Sequence, residues 1–383
     1  MTKKILAFVL SLVMGFTLFA QDKNVAEDGE NLKIYDSGEA YQVKTFTQKF
    51  KSRKPKNIIF FIGDGMGVSQ VHAALTANKG RLFIENLKYT GFSKTSSADN
   101  YITDSAAGGT ALSSGVKTYN GAIGLDKDKN RVKTILEIAE EKGMATGLVS
   151  TSAITHATPA SFIAHQSNRN MYEEIAADFL KTDIDVFIGG GYKHFTNRKD
   201  GRNLAGELKE KGYTVEKDLN IIANIKSGKL AGFVAEEHPG RLNERGNFLP
   251  VAVSTAINIL SDNKRGFFLM VEGSQIDWGG HASNTDYIVE DMLDMDKSIG
   301  KALEFAAKDG KTLIVLTADH ETGGMAVLNG SFETGMVKGE FTTGGHTGVM
   351  VPIFAYGPGA EEFIGIMENI EINEKMKKLL PGR

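Results

Sequence analysis

Five short segments of this chain set carboxylates or imidazoles among glycines and small residues. They are Gly63-Asp64-Gly65-Met66-Gly67, Ile154-Thr155-His156-Ala157-Thr158-Pro159, Glu272 through His281, Asp319-His320-Glu321-Thr322-Gly323-Gly324, and Gly344-Gly345-His346. Glycine lets a backbone turn sharply and draws side chains around a small object. Cysteine is absent, so any bound metal must take oxygen and nitrogen donors. Such donors suit zinc at His/Asp positions and magnesium at Asp/Glu/Thr positions. Asp277 and His281, four apart, share a face if their segment turns helically. Singly, each signal is weak, because an Asp between glycines is ordinarily a turn residue. A lone His is ordinarily structural, and Trp278, the single tryptophan, would by default be core. Recurrence shifts the balance toward a metal site, since four of the eight histidines (His156, His281, His320 and His346) fall in these segments.

A nucleophile candidate lies in Thr103-Asp104-Ser105-Ala106-Ala107-Gly108-Gly109-Thr110. Ser105 stands among small residues at an expected helix start, where free N–H groups face an anion. Taken alone, Asp104-Ser105 reads as a plain N-cap. Beside metals the hydroxyl becomes a candidate nucleophile, because a serine needs a base or metal to deprotonate it.

The elements that must position these groups are short apolar runs alternating with helical periods. Strands are expected at Asn57–Ile62, Ala145–Thr151, Asp183–Ile188, Phe267–Val271, Thr312–Thr317 and Val351–Tyr356. Helical spacing marks Val132–Lys142, Met171–Lys181, Val251–Asp262 and Thr285–Lys308. In the last, Ile288, Met292, Met295, Ile299, Leu303 and Ala306 fall on one face. This alternation predicts an α/β fold, a mostly parallel sheet with helices on both faces. Chemistry in such sheets collects at the carboxyl ends of the strands. Four of the five segments follow a strand, and Gly344–His346 lies just before one.

Lys3 and Lys4, the apolar run Ile5 to Phe19 and Ala20 read as a cleavable signal peptide over residues 1–20. Residues 21–53 read as a polar arm or linker, and 54–383 as one catalytic domain. The signal implies a periplasmic or secreted protein, and no later run is long and apolar enough to span a membrane. A net charge of -3 provides no basic footprint for nucleic acid.

Thr103–Leu112, Ser114–Gly121, Gly273–His281 and Asp319–Gly324 together resemble the signature segments of bacterial alkaline phosphatases. The likeness runs in order from about Lys54 to near the C-terminus and is greatest to the short marine and cold-water members. Carried over residue by residue, the resemblance implies that Asp277, His281 and His346 hold one zinc. Asp64, Asp319 and His320 would hold a second, and Asp64, Thr158 and Glu272 a magnesium. Ser105 would carry the phosphoryl group, Arg169 would clamp the phosphate, and His156 and Trp278 would stand just outside these groups. The best-known bacterial enzymes have Asp and Lys where this chain has His156 and Trp278, which puts the third metal in doubt more than the zincs. The stretch between Met325 and Phe341 leaves room only for a reduced crown region. The implied reaction is hydrolysis of a broad range of phosphate monoesters by a homodimer, for phosphate scavenging.

Three other readings fit these residues less well. A sulfatase needs a modifiable Cys or Ser in a Cys/Ser-x-Pro-x-Arg setting, whereas Ala106-Ala107-Gly108 follows Ser105. Diesterase relatives usually have threonine as nucleophile and lack the magnesium ligands. A non-catalytic metal- or phosphate-binding protein would be expected to have lost Ser105, Arg169 or a ligand. Finally, 43 glycines, 7 prolines and no cysteine, together with the resemblance to cold-water enzymes, suggest a heat-labile protein.

Overall fold

The computed structural model describes residues 33–382 except Ser37 and Gln48. The expected signal peptide, and the arm as far as residue 32, lie outside the described residues.

The ten strands of the main sheet are β1 (Asn57–Gly63), β2 (Tyr89–Lys94), β3 (Ala145–Ala153), β4 (Val186–Gly190) and β5 (Tyr213–Glu216), then β6 (Lys229–Phe233), β7 (Phe267–Gly273), β8 (Thr312–Thr317), β9 (Val351–Tyr356) and β10 (Gly365–Glu368). They lie in the order β10-β2-β9-β8-β1-β7-β3-β4-β6-β5. Every neighbouring pair is parallel except those of β9, which runs antiparallel to β8 and β2. The α/β class expected from the sequence is therefore the one found.

The central strands are apolar on both sides because both sides are covered. Ile59 and Phe61 of β1 pack among the helices Val68–Ala77, Phe248–Leu260 and Thr285–Asp309. Ile58, Phe60 and Ile62 face the other way, among Ser105–Ser114, Ile135–Glu141, Tyr172–Asp178, Leu204–Glu210 and Asn369–Leu379. The long helix Thr285–Asp309 buries its expected stripe and is capped by Asn284, whose side chain accepts the Tyr287 amide.

Differences from the expected elements lie at the flanks. The strand expected from Asp183 begins at Val186, opposite Gly147; just before it the Asp185 carboxylate accepts the Thr146 amide. β2, β5, β6 and β10 were not expected, and of these β5 and β10 form the sheet's edges, where short mixed sequences suffice. The described part of the arm lies against the body. Ile34–Tyr35 pairs with Val337–Phe341, which also pairs with Met325–Gly330, so this reduced region is a hairpin extended by the arm. Tyr41 donates to the buried Asp296 carboxylate (2.5 Å), which also accepts the Phe83 and Ile84 amides.

Candidate active site

The carboxyl ends of β1, β3, β7 and β8 deliver four of the ligand-bearing segments to one place. Asp64 follows β1, its amide bonded to the Gly273 carbonyl at the end of β7. Gly65 must be glycine: its φ is +74°, and a Cβ there would come within 2.7 Å of the Asp277 Cα. The tightness of this turn sets Asp64 beside Asp277.

Two donor sets emerge. In one, His281 Nε2 and His346 Nε2 lie 3.3 and 3.5 Å from Asp277 Oδ1, and 3.2 Å from each other. In the other, His320 Nε2 lies 3.4 Å from Asp64 Oδ1 and 3.3 Å from Asp319 Oδ2. Donors bound tetrahedrally to zinc at 2.0–2.1 Å sit about 3.3–3.4 Å apart, so both sets have the edge lengths of a zinc polyhedron. Two further observations fit a cation. Asp64 Oδ1 and Asp319 Oδ2 are buried oxygens with no hydrogen-bond partner. The rings are also turned with Nε2 inward: His281 Nδ1 pairs with the Gly344 carbonyl at 2.7 Å and His346 Nδ1 with the Thr103 carbonyl at 2.9 Å. Such outer bonds fix the tautomer of a metal-binding histidine. The His320 and His346 rings stack with centroids 3.5 Å apart, so the two sets adjoin.

The electrostatics describe a site short of positive charge. Burial, reinforced by Asp277 and Glu272, lifts Asp319 to about 8. Asp64 is raised well above the usual carboxylate range by burial and then by Asp319. Asp277 goes the other way: burial would raise it, but His281, His346 and His320 hold it well below. His281 rises to about 9, where burial is overcome by the Asp277 carboxylate.

Next to the Asp64 set, Thr158 donates to Asp64 Oδ2 at 3.3 Å. Glu272, at the end of β7, is fully buried with Oε2 accepting from Ser150 and Oε1 unpartnered. Thr158 also faces the Glu272 carboxylate, so it stands beside both acids, as a third cation site would require.

Ser105 opens the helix Ser105–Ser114, its Oγ 3.3 Å from His320 Nε2. Asp104 does two things here. Its Oδ1 accepts the Ala107 amide at 2.9 Å as the N-cap, while Oδ2 accepts Arg169 NH1 at 3.1 Å and the Gly121 amide at 3.1 Å. Arg169 NH2 lies 3.4 Å from His156 Nε2, and His156 packs edge-on to Trp278. Every residue singled out in the sequence therefore lies in one cluster. Missed were the Asp104–Arg169 pair, Thr322 on the Asp277 carboxylate, and His238, whose ring meets Trp278 at 5.0 Å. Asp104 and Thr322 stood inside quoted motifs. His238 stands outside all of them, and nothing around it announced a site.

A sequence model of the family described as alkaline phosphatase matches residues 55–340. Alkaline phosphatase 3 of Bacillus subtilis is 36% identical over 412 residues, covering 85% of this chain and 89% of its own. Alkaline phosphatase of Escherichia coli K12 is 32% identical, covering 88% and 89%. Among solved structures, the alkaline phosphatase of the Antarctic bacterium TAB5 superposes with a TM-score of 0.81 at 44% identity, over 87% of this chain and 99% of that one. A cold-active alkaline phosphatase of a psychrophilic Shewanella gives 0.78 at 31%, over 85% and 100%. A His-to-Asp variant of the Antarctic enzyme holds magnesium in a site termed M3.

Proposed function

The chain belongs to the alkaline phosphatase family and is a phosphatase, and from this we propose that it hydrolyses phosphate monoesters through a phosphoserine at Ser105. The observation that carries the reading is the Ser105 hydroxyl 3.3 Å from His320 Nε2, a nitrogen that also faces the Asp64 and Asp319 carboxylates at 3.4 and 3.3 Å. Asp277, His281 and His346 would hold one zinc, and Asp64, Asp319 and His320 the other. Asp64, Thr158 and Glu272 would hold magnesium. When bound, the zinc ions supply Lewis acidity that lowers the serine's pKa and offsets charge on the departing oxygen.

The chain's own groups do the rest. The N-terminus of Ser105–Ser114 turns free amides toward the incoming phosphate. Arg169, held by Asp104, presents a planar fork to two phosphoryl oxygens. Ser105 Oγ bonds to phosphorus as the ester P–O bond breaks and the alcohol leaves. Water then attacks the phosphoserine, inorganic phosphate departs and Ser105 regains its proton.

The test is Ser105→Ala. It should lose activity toward a chromogenic monoester by orders of magnitude, form no acid-stable phosphoprotein, and still bind zinc. Full activity in this variant would falsify the assignment.

We also infer a homodimer and export. Phe92 and Ile366, paired across β2 and β10, are exposed, as are Ile364, Met350, Val349 and Tyr101. Light scattering should give twice the chain mass, and Ile366→Lys should lower it. A monomeric wild-type chain would refute the dimer. Export rests on residues 1–20, and the mature N-terminal sequence checks it. Among the described residues no helix is long and apolar enough to cross a membrane.

A further inference from the structure

We propose that Glu321 is a positioning residue that ties the two metal-binding donor sets together without binding metal itself. Its side chain is buried and accepts four hydrogen bonds. Oε1 takes Gln70 Nε2 at 2.8 Å and the Met325 amide at 3.2 Å. Oε2 takes the Gly324 amide at 3.2 Å and the Thr347 hydroxyl. An ionised carboxylate has about four acceptor positions, so none is left over for a cation. Asp64 and Asp319 differ in just this respect, each keeping one buried oxygen unpartnered.

The four donors come from three different parts of the site. Gly324 and Met325 form the turn that follows Asp319 and His320. Thr347 is next to His346, and the two short strands Glu321–Thr322 and His346–Thr347 pair antiparallel, Glu321 opposite Thr347. Gln70 belongs to the helix Val68–Ala77, which begins just after Asp64; its Oε1 accepts the Gly67 amide at 3.1 Å. A Cβ on Gly67 would lie 2.5 Å from Glu321 Cγ, so the glycine leaves the notch that the glutamate fills. Asp64, His320 and His346 hang from backbones that Glu321 fastens to one another. A loss there should be felt in both donor sets, and most by His346, whose segment is otherwise a two-residue strand.

This inference rests on the zinc reading, and the experiment separates the two. Metal-free wild type, Glu321→Gln and Thr347→Val are titrated with zinc against a competing chelator, with metal per chain counted by mass spectrometry. Circular dichroism and the melting temperature of the metal-free proteins are recorded alongside. In Glu321→Gln an NH2 replaces an acceptor that faces two donors. Zinc affinity should fall 10- to 100-fold, the loss expected when an outer support of a metal site is removed, while the metal-free fold is retained. Thr347→Val should weaken only one of the two zincs, by several-fold, and it decides the matter if Glu321→Gln does not fold. Wild-type zinc affinities in the folded variants would overturn the proposal. So would a drop in metal-free melting temperature with zinc binding unchanged, since that marks a merely structural residue. If the wild type itself binds no zinc, the metal reading and this inference fall together.

Discussion

Asp104 offers the sharpest test of how the site is held, because one carboxylate both caps the Ser105 helix and clamps Arg169. Asp104→Ser retains a good N-cap, since serine ranks with aspartate there, but its hydroxyl cannot also reach the guanidinium. The two charged side chains are only 19% and 22% exposed, so solvent offers limited compensation. A hydrogen bond between charged groups contributes about 1.5–3 kcal/mol. At about 2 kcal/mol, the affinity for inorganic phosphate should fall roughly 30-fold. The helix should lose little, so the melting temperature with metals saturating should stay near that of wild type. The assay is competitive inhibition by phosphate against a chromogenic monoester, with kcat and KM resolved. The expected pattern is a raised inhibition constant and raised KM. An unchanged phosphate inhibition constant in a folded, zinc-loaded Asp104→Ser would show that the Asp104–Arg169 pair does not organise the phosphate site. A large drop in stability would show that the cap and the clamp cannot be separated.

His346→Ala should lose one zinc per chain by mass spectrometry and keep the other, and chelation of the wild type should abolish activity; retention of both zincs refutes the ligand sets. Glu140 is raised to about 7, burial outweighing the hydrogen bonds from the Asp183 amide and Thr146. The folded chain thus holds this proton more tightly than the unfolded one. The resulting stability is complete below about pH 4.5 and is lost as pH rises through 7. Glu140→Gln should therefore melt closer to wild type at pH 5 than at pH 8.5, where the variant gains, and a pH-independent difference contradicts this.

The central strands and the ligand segments were legible because both obey local rules. A strand covered on both faces needs an unbroken apolar run, as Asn57–Gly63 and Thr312–Thr317 show. A glycine-flanked carboxylate at a strand's end has little other use when it recurs. What stayed hidden depends on contacts between distant segments. The pairing of Asp104 with Arg169 spans 65 residues and that of Gln70 with Glu321 spans 251, and no spacing rule reaches so far. His238 arrives on the connection after β6, itself unexpected, so its meeting with Trp278 could not be read from either residue. The flanking strands β5 and β10 were missed for a related reason: at an edge, half the burial that marks a strand is absent.

The expectation of heat lability depends on why the glycines are where they are. Of the glycines, nineteen among the described residues have positive φ, from Gly65 to Gly365. At such positions an L-residue costs about 1–2 kcal/mol, so glycine is the more stable choice despite its entropy in the unfolded chain. Several others are packed too closely for a Cβ, as Gly67 against Glu321 and Gly280 against Thr322. The glycine count therefore reflects turns and close contacts throughout this backbone. The case for lability falls back on the 7 prolines, the missing disulfides and the resemblance to cold-water enzymes. Gly206 tests this distinction. It lies in the helix Leu204–Glu210 with no positive φ, and a Cβ there would meet nothing nearer than Asn203 at 3.5 Å. Its amide would go on donating to Asn203 Oδ1. Gly206→Ala should therefore stabilise by about 0.4–1 kcal/mol, the gain for a compatible site. Gly65→Ala, forced to φ +74° against Asp277, should destabilise and weaken zinc binding. Melting curves of both variants, with zinc saturating, check the pair. If Gly206→Ala melts below wild type, or Gly65→Ala matches it, glycine is not distributed here by backbone need and the compositional argument for lability regains its force.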